Sequence, residues 1–129
     1  MAGALAELVG RLGQRHAVEV SASVQLRDDV PAAVQETLYR IAQEAAGNAC
    51  RHSGSPQVGL AVRDDGRMVV LEVADRGEGF DPHRVPDGHL GLRFLRDHAE
   101  WMGGQLSVQS APGQGTTIRA TVARPFRGA

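Results

Sequence analysis

Between Pro31 and Ser53 the residues Val34, Leu38, Ile41, Ala42, Ala45 and Ala49 recur at helical spacing, so they line one stripe of a single long helix running to about His52. The stripe narrows along its length from branched side chains to alanine, which implies a close approach to the layer beneath. That layer is a sheet. Before the helix, Val18, Val20, Ala22 and Val24 alternate with Glu19, Ser21 and Ser23; after it, Val58, Leu60 and Val62 alternate up to Arg63-Asp64-Asp65-Gly66, a hairpin-turn composition. A helix with one apolar stripe, set between segments of period two, buries that stripe on a sheet. Pro31, after Arg27-Asp28-Asp29-Val30, suits the first turn.

The remaining elements follow the same reasoning. Leu5, Leu8, Val9 and Leu12 predict a short opening helix over Ala4 to Leu12, weakened by Gly10 and Gly13. Arg67 to Asp75 returns from the hairpin turn as a strand. Arg76 to Gly88, with Gly77, Gly79, Pro82, Pro86 and Gly88 and no apolar period, reads as a long loop of the kind that carries function. Leu90 to Met102 is helical and ends at Gly103-Gly104. Gln105 to Ser110 and Gly115 to Ala123 form a second hairpin around Ala111-Pro112-Gly113-Gln114. The expected fold is a two-layer α/β sandwich: a mixed, mostly antiparallel sheet of about five strands with helices on one face. All 129 residues fit one domain, 1–129.

Composition closes several routes. The 14 basic residues are all Arg, since the sequence contains no Lys, so there is no Walker A lysine, pyridoxal lysine or kinase-type strand lysine. A net charge of −1 with no basic run argues against nucleic acid as the partner. No apolar run approaches membrane-span length and no secretory signal opens the chain, so the expected setting is the cytosol without direct membrane contact. Cys50 is the single cysteine, too few for a disulfide or a cysteine-cluster zinc site, and since Cys50 and His52 are two apart on a helix and do not face together, a zinc site with His83 or His89 is disfavoured. Gly77-Glu78-Gly79 leads into Phe80-Asp81-Pro82 rather than a helix, so the dinucleotide fingerprint fails. Ser53, Ser55 and Ser107 have no base in a triad pattern. Phe94, His98 and Trp101 are expected to pack on their own domain.

Polar residues remain where chemistry could sit. On the long helix Glu44, Asn48 and Arg51 fall within an arc of ~60° beside the apolar stripe, with His52 one position round. Asn48 is the chain's one Asn and a poor helix former; its amide oxygen beside a carboxylate suits Mg²⁺ shared with phosphate oxygens. In the strand ending at Asp75, period two puts Asp75 on the face of Val69, Leu71 and Val73, aiming a carboxylate inward, either to cap the following turn or to meet a ligand donor. Gly77 and Gly79 would let backbone approach a flat ligand. Thr116, directly after Gly115, shares the inward face of Ile118, Ala120 and Val122, so a carboxylate and a hydroxyl could meet one polar heterocycle such as a purine. Gly88, His89, Leu90, Gly91 and Leu92 open a helix whose N–H groups would receive phosphates without a lysine.

Together these pieces resemble the catalytic ATP-binding domain of sensor histidine kinases, in the superfamily of gyrase and mismatch-repair ATPases. Glu44-Ala45-Ala46-Gly47-Asn48-Ala49-Cys50-Arg51-His52 looks like its N box and Asp75-Arg76-Gly77-Glu78-Gly79-Phe80-Asp81 like its first glycine box. Gly88-His89-Leu90-Gly91-Leu92 looks like the second glycine box, and Gly113-Gln114-Gly115-Thr116-Thr117 like the closing motif. Leu38 to Glu44 and Gly91 to Glu100 look most like the subfamily paired with NarL/LuxR-type response regulators. The likeness spans about Leu5 to Val122 and implies the Bergerat ATP-binding fold, with ATP and Mg²⁺ as cofactors. By it Asn48 would ligand Mg²⁺, Glu44 would assist the metal or orient the acceptor, and Arg51 and His52 would approach the phosphates. Asp75 would accept the adenine amino group, supported by Thr116 directly or through water, with Gly79 against the ring, and Arg76 to Gly91 would form a lid. The implied activity is transfer of the γ-phosphate to a histidine on a separate dimerisation domain, with the response regulator as an indirect partner. His16 is expected to enter a strand and has no acidic neighbour, so the chain is expected to be the catalytic piece of a longer kinase, which would carry any membrane anchor. The alternatives are a serine kinase of the anti-sigma class, and an ATP-binding regulatory module that transfers nothing.

Overall fold

A computed structural model of the protein describes residues 1–83 and 91–126. The elements run α1 (Ala2–His16), β1 (Glu19–Gln25), α2 (Ala32–His52), β2 (Gln57–Asp64), β3 (Met68–Asp75), α3 (Leu92–Trp101), β4 (Gln105–Ser110) and β5 (Thr116–Ala123). The five strands form one sheet in the order β1-β2-β3-β5-β4. β1 lies parallel to β2, and every other neighbouring pair is antiparallel. The expected mixed sheet with helices on one face is therefore the observed architecture.

Period two decides which face is covered. Val58, Leu60 and Val62 of β2, Val69, Leu71 and Val73 of β3, and Ile118, Ala120 and Val122 of β5 are buried against the helices. The predicted stripe of α2, from Val34 to Ala49, is buried without exception, joined by Leu92, Leu95 and Ala99 of α3. Each fully buried Leu or Val contributes about 1.5–3 kcal/mol, so this face holds the layers together. The other face carries polar pairs such as Arg119 Nη2 on Glu72 Oε2 at 2.6 Å.

Three expectations require correction. α1 extends from Ala2 to His16, well past Leu12, because burial of Leu5, Leu8 and Leu12 outweighs the ~1 kcal/mol that each of Gly10 and Gly13 costs a helix. His16 accordingly ends a helix, with Ala17 in the left-handed conformation as its cap (φ 53°), and does not open a strand. The face bearing Phe94 and Trp101 does not pack on its own domain: Phe94 is 40% and Trp101 69% exposed, while His98 stacks on Phe94 at 4.0 Å between centroids.

The hairpin turn does more than reverse the chain. The Asp64 side chain, 1% exposed, accepts hydrogen bonds from Gly66 N and Arg27 N, each at 3.0 Å. It also accepts from Arg124 Nη1 at 2.6 Å and Nη2 at 3.0 Å. Arg124 reaches Asp29 at 2.7 Å as well and lies over the Phe126 ring. One carboxylate thus fastens the approach to α2, the β2–β3 turn and the chain after β5. The Arg124 guanidinium bonded to it holds the Asp64 carboxyl far below the usual carboxylate range.

Because the folded carboxyl ionises below its unfolded value of about 3.9, the clasp stabilises fully above that pH and fades as pH falls toward the folded value. The urea midpoint of the wild type should therefore drop between about pH 5 and pH 3. Asp64→Asn should be less stable at neutral pH and lose less over that interval; equal losses for the two proteins would remove Asp64 from the acid response.

Candidate functional site

Where β3 ends and β5 begins, the C-terminal half of α2, the start of α3 and the loop after β3 enclose a cavity of about 120 Å³. Its walls are Ala45, Ala49, Val73, Phe80, Leu92, Leu95 and Ile118, and Asn48, His52, Ser53, Asp75 and Thr116 supply its polar points. The alanines of α2 now have a second explanation. They let the helix approach the sheet, and at Ala45 and Ala49 their small size leaves the slot open. A mostly apolar slot with a few placed polar groups is the usual form of a site for a flat organic ligand.

Asp75 and Thr116 meet here because they are register partners across β3 and β5. Asp75 Oδ1 accepts from Gly77 N at 2.8 Å, so the turn-capping role and the inward placement hold together. Among the described residues Oδ2 takes no donor. Thr116 Oγ1 lies 2.8 Å from Ser110 Oγ, which itself accepts from Phe80 N at 2.9 Å. Nothing local in the sequence marks Ser110; its signal is the hydroxyl that ends β4 opposite Thr116.

The glycines after Asp75 are needed by the chain itself. A Cβ on Gly77 would fall 2.0 Å from Ser53 O, and one on Gly79 would fall 2.1 Å from Ala111 O. Gly79 lines the cavity and has φ +65°, whereas Gly77 does not line it. A Cβ on Gly115 would meet Asp75 O at 2.3 Å. Ser53 and Ser55, set aside above as nucleophiles, fasten this corner: Glu78 N donates to Ser53 O at 2.7 Å, and Arg76 N donates to Ser55 Oγ at 3.1 Å.

Along the rim, Asn48 Nδ2 donates to Glu44 Oε1 at 3.4 Å and Arg51 Nη2 donates to Asn48 Oδ1 at 2.6 Å. The structure thus brings Glu44, Asn48 and Arg51 together as one polar strip, with His52 at the cavity mouth and exposed. The start of α3 stands over that strip. Gly91, its N-cap at φ +69°, is so close that a Cβ there would lie 2.5 Å from Glu44 Oε1 and 3.2 Å from Asn48 Nδ2. The first-turn N–H groups of α3, beginning at Leu92, therefore open beside the strip. Gly88, His89 and Leu90 lie outside the described residues, as does the rest of the stretch 84–90 of the expected lid. No cluster of three His, Cys, Asp or Glu able to hold a metal occurs among the described residues, and none of their helices is long and apolar enough to cross a membrane.

The sequence pattern of the histidine kinase-, DNA gyrase B-, and HSP90-like ATPases matches residues 33–125. Among solved structures, the chain is similar to a blue-light activated histidine kinase of Erythrobacter litoralis (23% identity, TM-score 0.77, 92% of this chain and 40% of that one). It is also similar to full-length ShkA in complex with AMPPNP (26%, 0.75, 98% and 30%), and to the mycobacterial sensor histidine kinase MprB (22%, 0.70, 95% and 93%). The chain spans well under half the length of the first and second of these.

The glycine geometry can be tested without a ligand. Gly79→Ala forces a left-handed backbone on a residue with a Cβ and pushes that Cβ into Ala111 O, so it should cost about 1–3 kcal/mol in urea unfolding. A cost near zero would mean that the approach of the loop to the β4–β5 turn does not constrain the fold.

Proposed function

Because this chain belongs to the family of histidine kinase-, DNA gyrase B-, and HSP90-like ATPases, we propose that its cavity takes the adenine of Mg-ATP. In this reading the domain, as the ATP-binding catalytic part of a sensor kinase, donates the γ-phosphate to a histidine on a separate dimerisation domain. One observation carries the reading: Asp75 stands at the end of a mostly apolar slot with one carboxylate oxygen held by Gly77 N and the other without a donor among the described residues. An exocyclic amino group supplies that donor, and an apolar slot suits a purine ring. Thr116 supports the same edge of the ring, and Gly79 sets backbone beside it. The AMPPNP held by the similar ShkA agrees with an adenine nucleotide.

The polar strip suits the other end of the nucleotide. Glu44 and Asn48 offer adjacent hard oxygens of the kind Mg²⁺ shares with phosphates and water. Bound there, the ion would neutralise charge on the phosphates. Arg51, His52 and the N–H groups that open α3, beginning at Leu92, supply the remaining positive potential in a chain without lysine. Glu44 is then also placed to orient an incoming acceptor. The exposed Trp101 lines a groove of about 400 Å³ between α2 and α3 that includes Thr37, Arg40 and His98, on which the exposed Phe94 stacks, a surface suited to the apolar side of the histidine-bearing helix. A NarL/LuxR-type response regulator as the eventual receiver rests on the sequence resemblance alone.

Calorimetry should show ATP bound more tightly than GTP, because guanine presents a carbonyl where adenine presents an amino group and two acceptors facing each other leave Asp75 unpaired. That penalty of about 1–3 kcal/mol corresponds to roughly 5- to 150-fold in affinity. Asp75→Asn should weaken ATP by a similar factor with an unchanged melting curve; equal affinities for ATP and GTP would sink the adenine assignment.

Asn48→Ala should keep adenine recognition, lose the Mg²⁺ dependence of binding and abolish transfer. The chain alone should label itself negligibly with ATP, since transfer needs the acceptor held in line. The dimerisation domain added in trans should acquire an acid-labile, base-stable phosphate. Acid-stable label on a small partner protein would favour the anti-sigma serine kinase, and label on neither would favour a regulatory module.

A further inference from the structure

β1 is an edge strand with none of the usual protection. It pairs only with β2, and it contains no proline, bulge or basic residue along its seven residues. Glu19 N donates to Pro56 O beside β2 at 3.0 Å. Alternation along the strand therefore turns the N–H and C=O groups of Val20, Ala22 and Val24 outward. Among the described residues none of these groups has a partner.

The sequence of that edge is close to its own reverse. Read outward from Ala22, Ser21 answers Ser23, Val20 answers Val24, Glu19 answers Gln25 and Val18 answers Leu26. If two such strands run antiparallel about a two-fold axis through Ala22, every side chain meets one of its own kind. Val20 and Val24 meet on the helix-covered face, the serines meet on the open face, and each Glu19 carboxylate faces an amide rather than another carboxylate. The outward residues fall in register: Val20 with the partner's Val24, Ala22 with the partner's Ala22, and Val24 with the partner's Val20. Each such pair exchanges two backbone hydrogen bonds.

The helix above the edge permits the approach. Arg11 of α1 reaches Tyr39 of α2 at 3.5 Å, so the opposite flank of α1, carrying Ala6, Val9, Gly13 and His16, faces away from α2 and toward the free edge. The other edge strand, β4, is also near-symmetric over Gln105-Leu106-Ser107-Val108-Gln109, but over fewer residues. His98 and Trp101 of α3 face α2, so the flank of α3 turned from α2 carries Arg96 and Glu100, long charged groups that a two-fold axis would crowd together.

We propose that two copies of this chain associate through antiparallel pairing of their β1 strands about Ala22, joining two five-stranded sheets into one of ten. The contact lies two strands away from β3 and Asp75, so it leaves the cavity open and is independent of the nucleotide reading.

The register makes a sharp test. In a Cys50→Ala background, Ala22→Cys would sit opposite its own copy with Cα atoms about 5.5 Å apart, within disulfide range. Mild oxidation of the full chain with copper-phenanthroline should convert most of it to a linked dimer. Val20→Cys, whose partner in this register is Val24, should link at least tenfold more slowly, as should Ser107→Cys on β4. Sedimentation of the unmodified chain should show a concentration-dependent dimer that Ala22→Pro abolishes by removing an outward N–H. If Ala22→Pro fails to fold, the cysteine comparison stands on its own. Equal linking at Val20 or Ser107, or a chain that stays monomeric at every concentration while Ala22→Cys fails to link, would overturn the proposal.

Discussion

The site depends on three backbone segments meeting at the end of β3 at distances no side chain permits. Gly77 lies against the carbonyl of Ser53, Gly79 against that of Ala111, and Gly115 against that of Asp75. Through these approaches the exit of α2, the β4–β5 turn and the start of β5 are gathered round one carboxylate. Backbone bonds then tie them, with Glu78 N on Ser53 O and Gly113 N on Glu78 O at 2.6 Å. A Cβ at any of the three would widen the gap that sets where Asp75 and Thr116 stand. The glycines are conformational necessities first, and whatever they allow a ligand to do comes from the shape they have already fixed.

The cavity itself reflects a compromise in packing. A face that only had to hold α2 on the sheet would carry Leu or Ile at Ala45 and Ala49, each adding apolar burial at about 0.8 kcal/mol per CH₂. The helix forgoes that here and recovers stability elsewhere along the stripe, where Val34, Leu38 and Ile41 are fully packed. The Asp64–Arg124 clasp works at the opposite end of the sheet, fixing the approach to α2 from outside. Rigidity is concentrated where the chain is closed, and the opening is left where α3 and the loops meet.

Much of this was legible in the sequence. The stripe from Val34 to Ala49 specified a helix over a sheet, and period two placed Asp75 and Thr116 on the covered face, because both signals are local and burial enforces them. Other features depend on distant partners. Asp64 reads as an ordinary turn residue until Arg124, sixty residues away, reaches it. Gly10 and Gly13 suggest the end of a helix that three buried leucines in fact continue. Trp101 and Phe94 have the spacing of a packed stripe, and only the tertiary arrangement leaves them exposed beside the groove toward α2, while Leu95 and Ala99 on another face of α3 are the residues buried. Gly77 reads as room for a ligand because the Ser53 carbonyl it lies against is distant in the sequence.

The polar strip shows how a chain without lysine can answer phosphate charge. Its one arginine at the rim, Arg51, already holds Asn48 Oδ1 at 2.6 Å, the oxygen that the proposed reading gives to a cation. Arginine keeps its charge in any setting and forks onto oxygens in pairs, so a phosphate arriving at the α3 N-terminus would be a better partner for it than a neutral amide. Arg51 would then have to exchange Asn48 for the phosphate before that oxygen could take an ion. In the proposed function, phosphate and cation would therefore bind as a linked event, each relieving the arrangement that opposes the other, with the strip on α2 as the element that couples them.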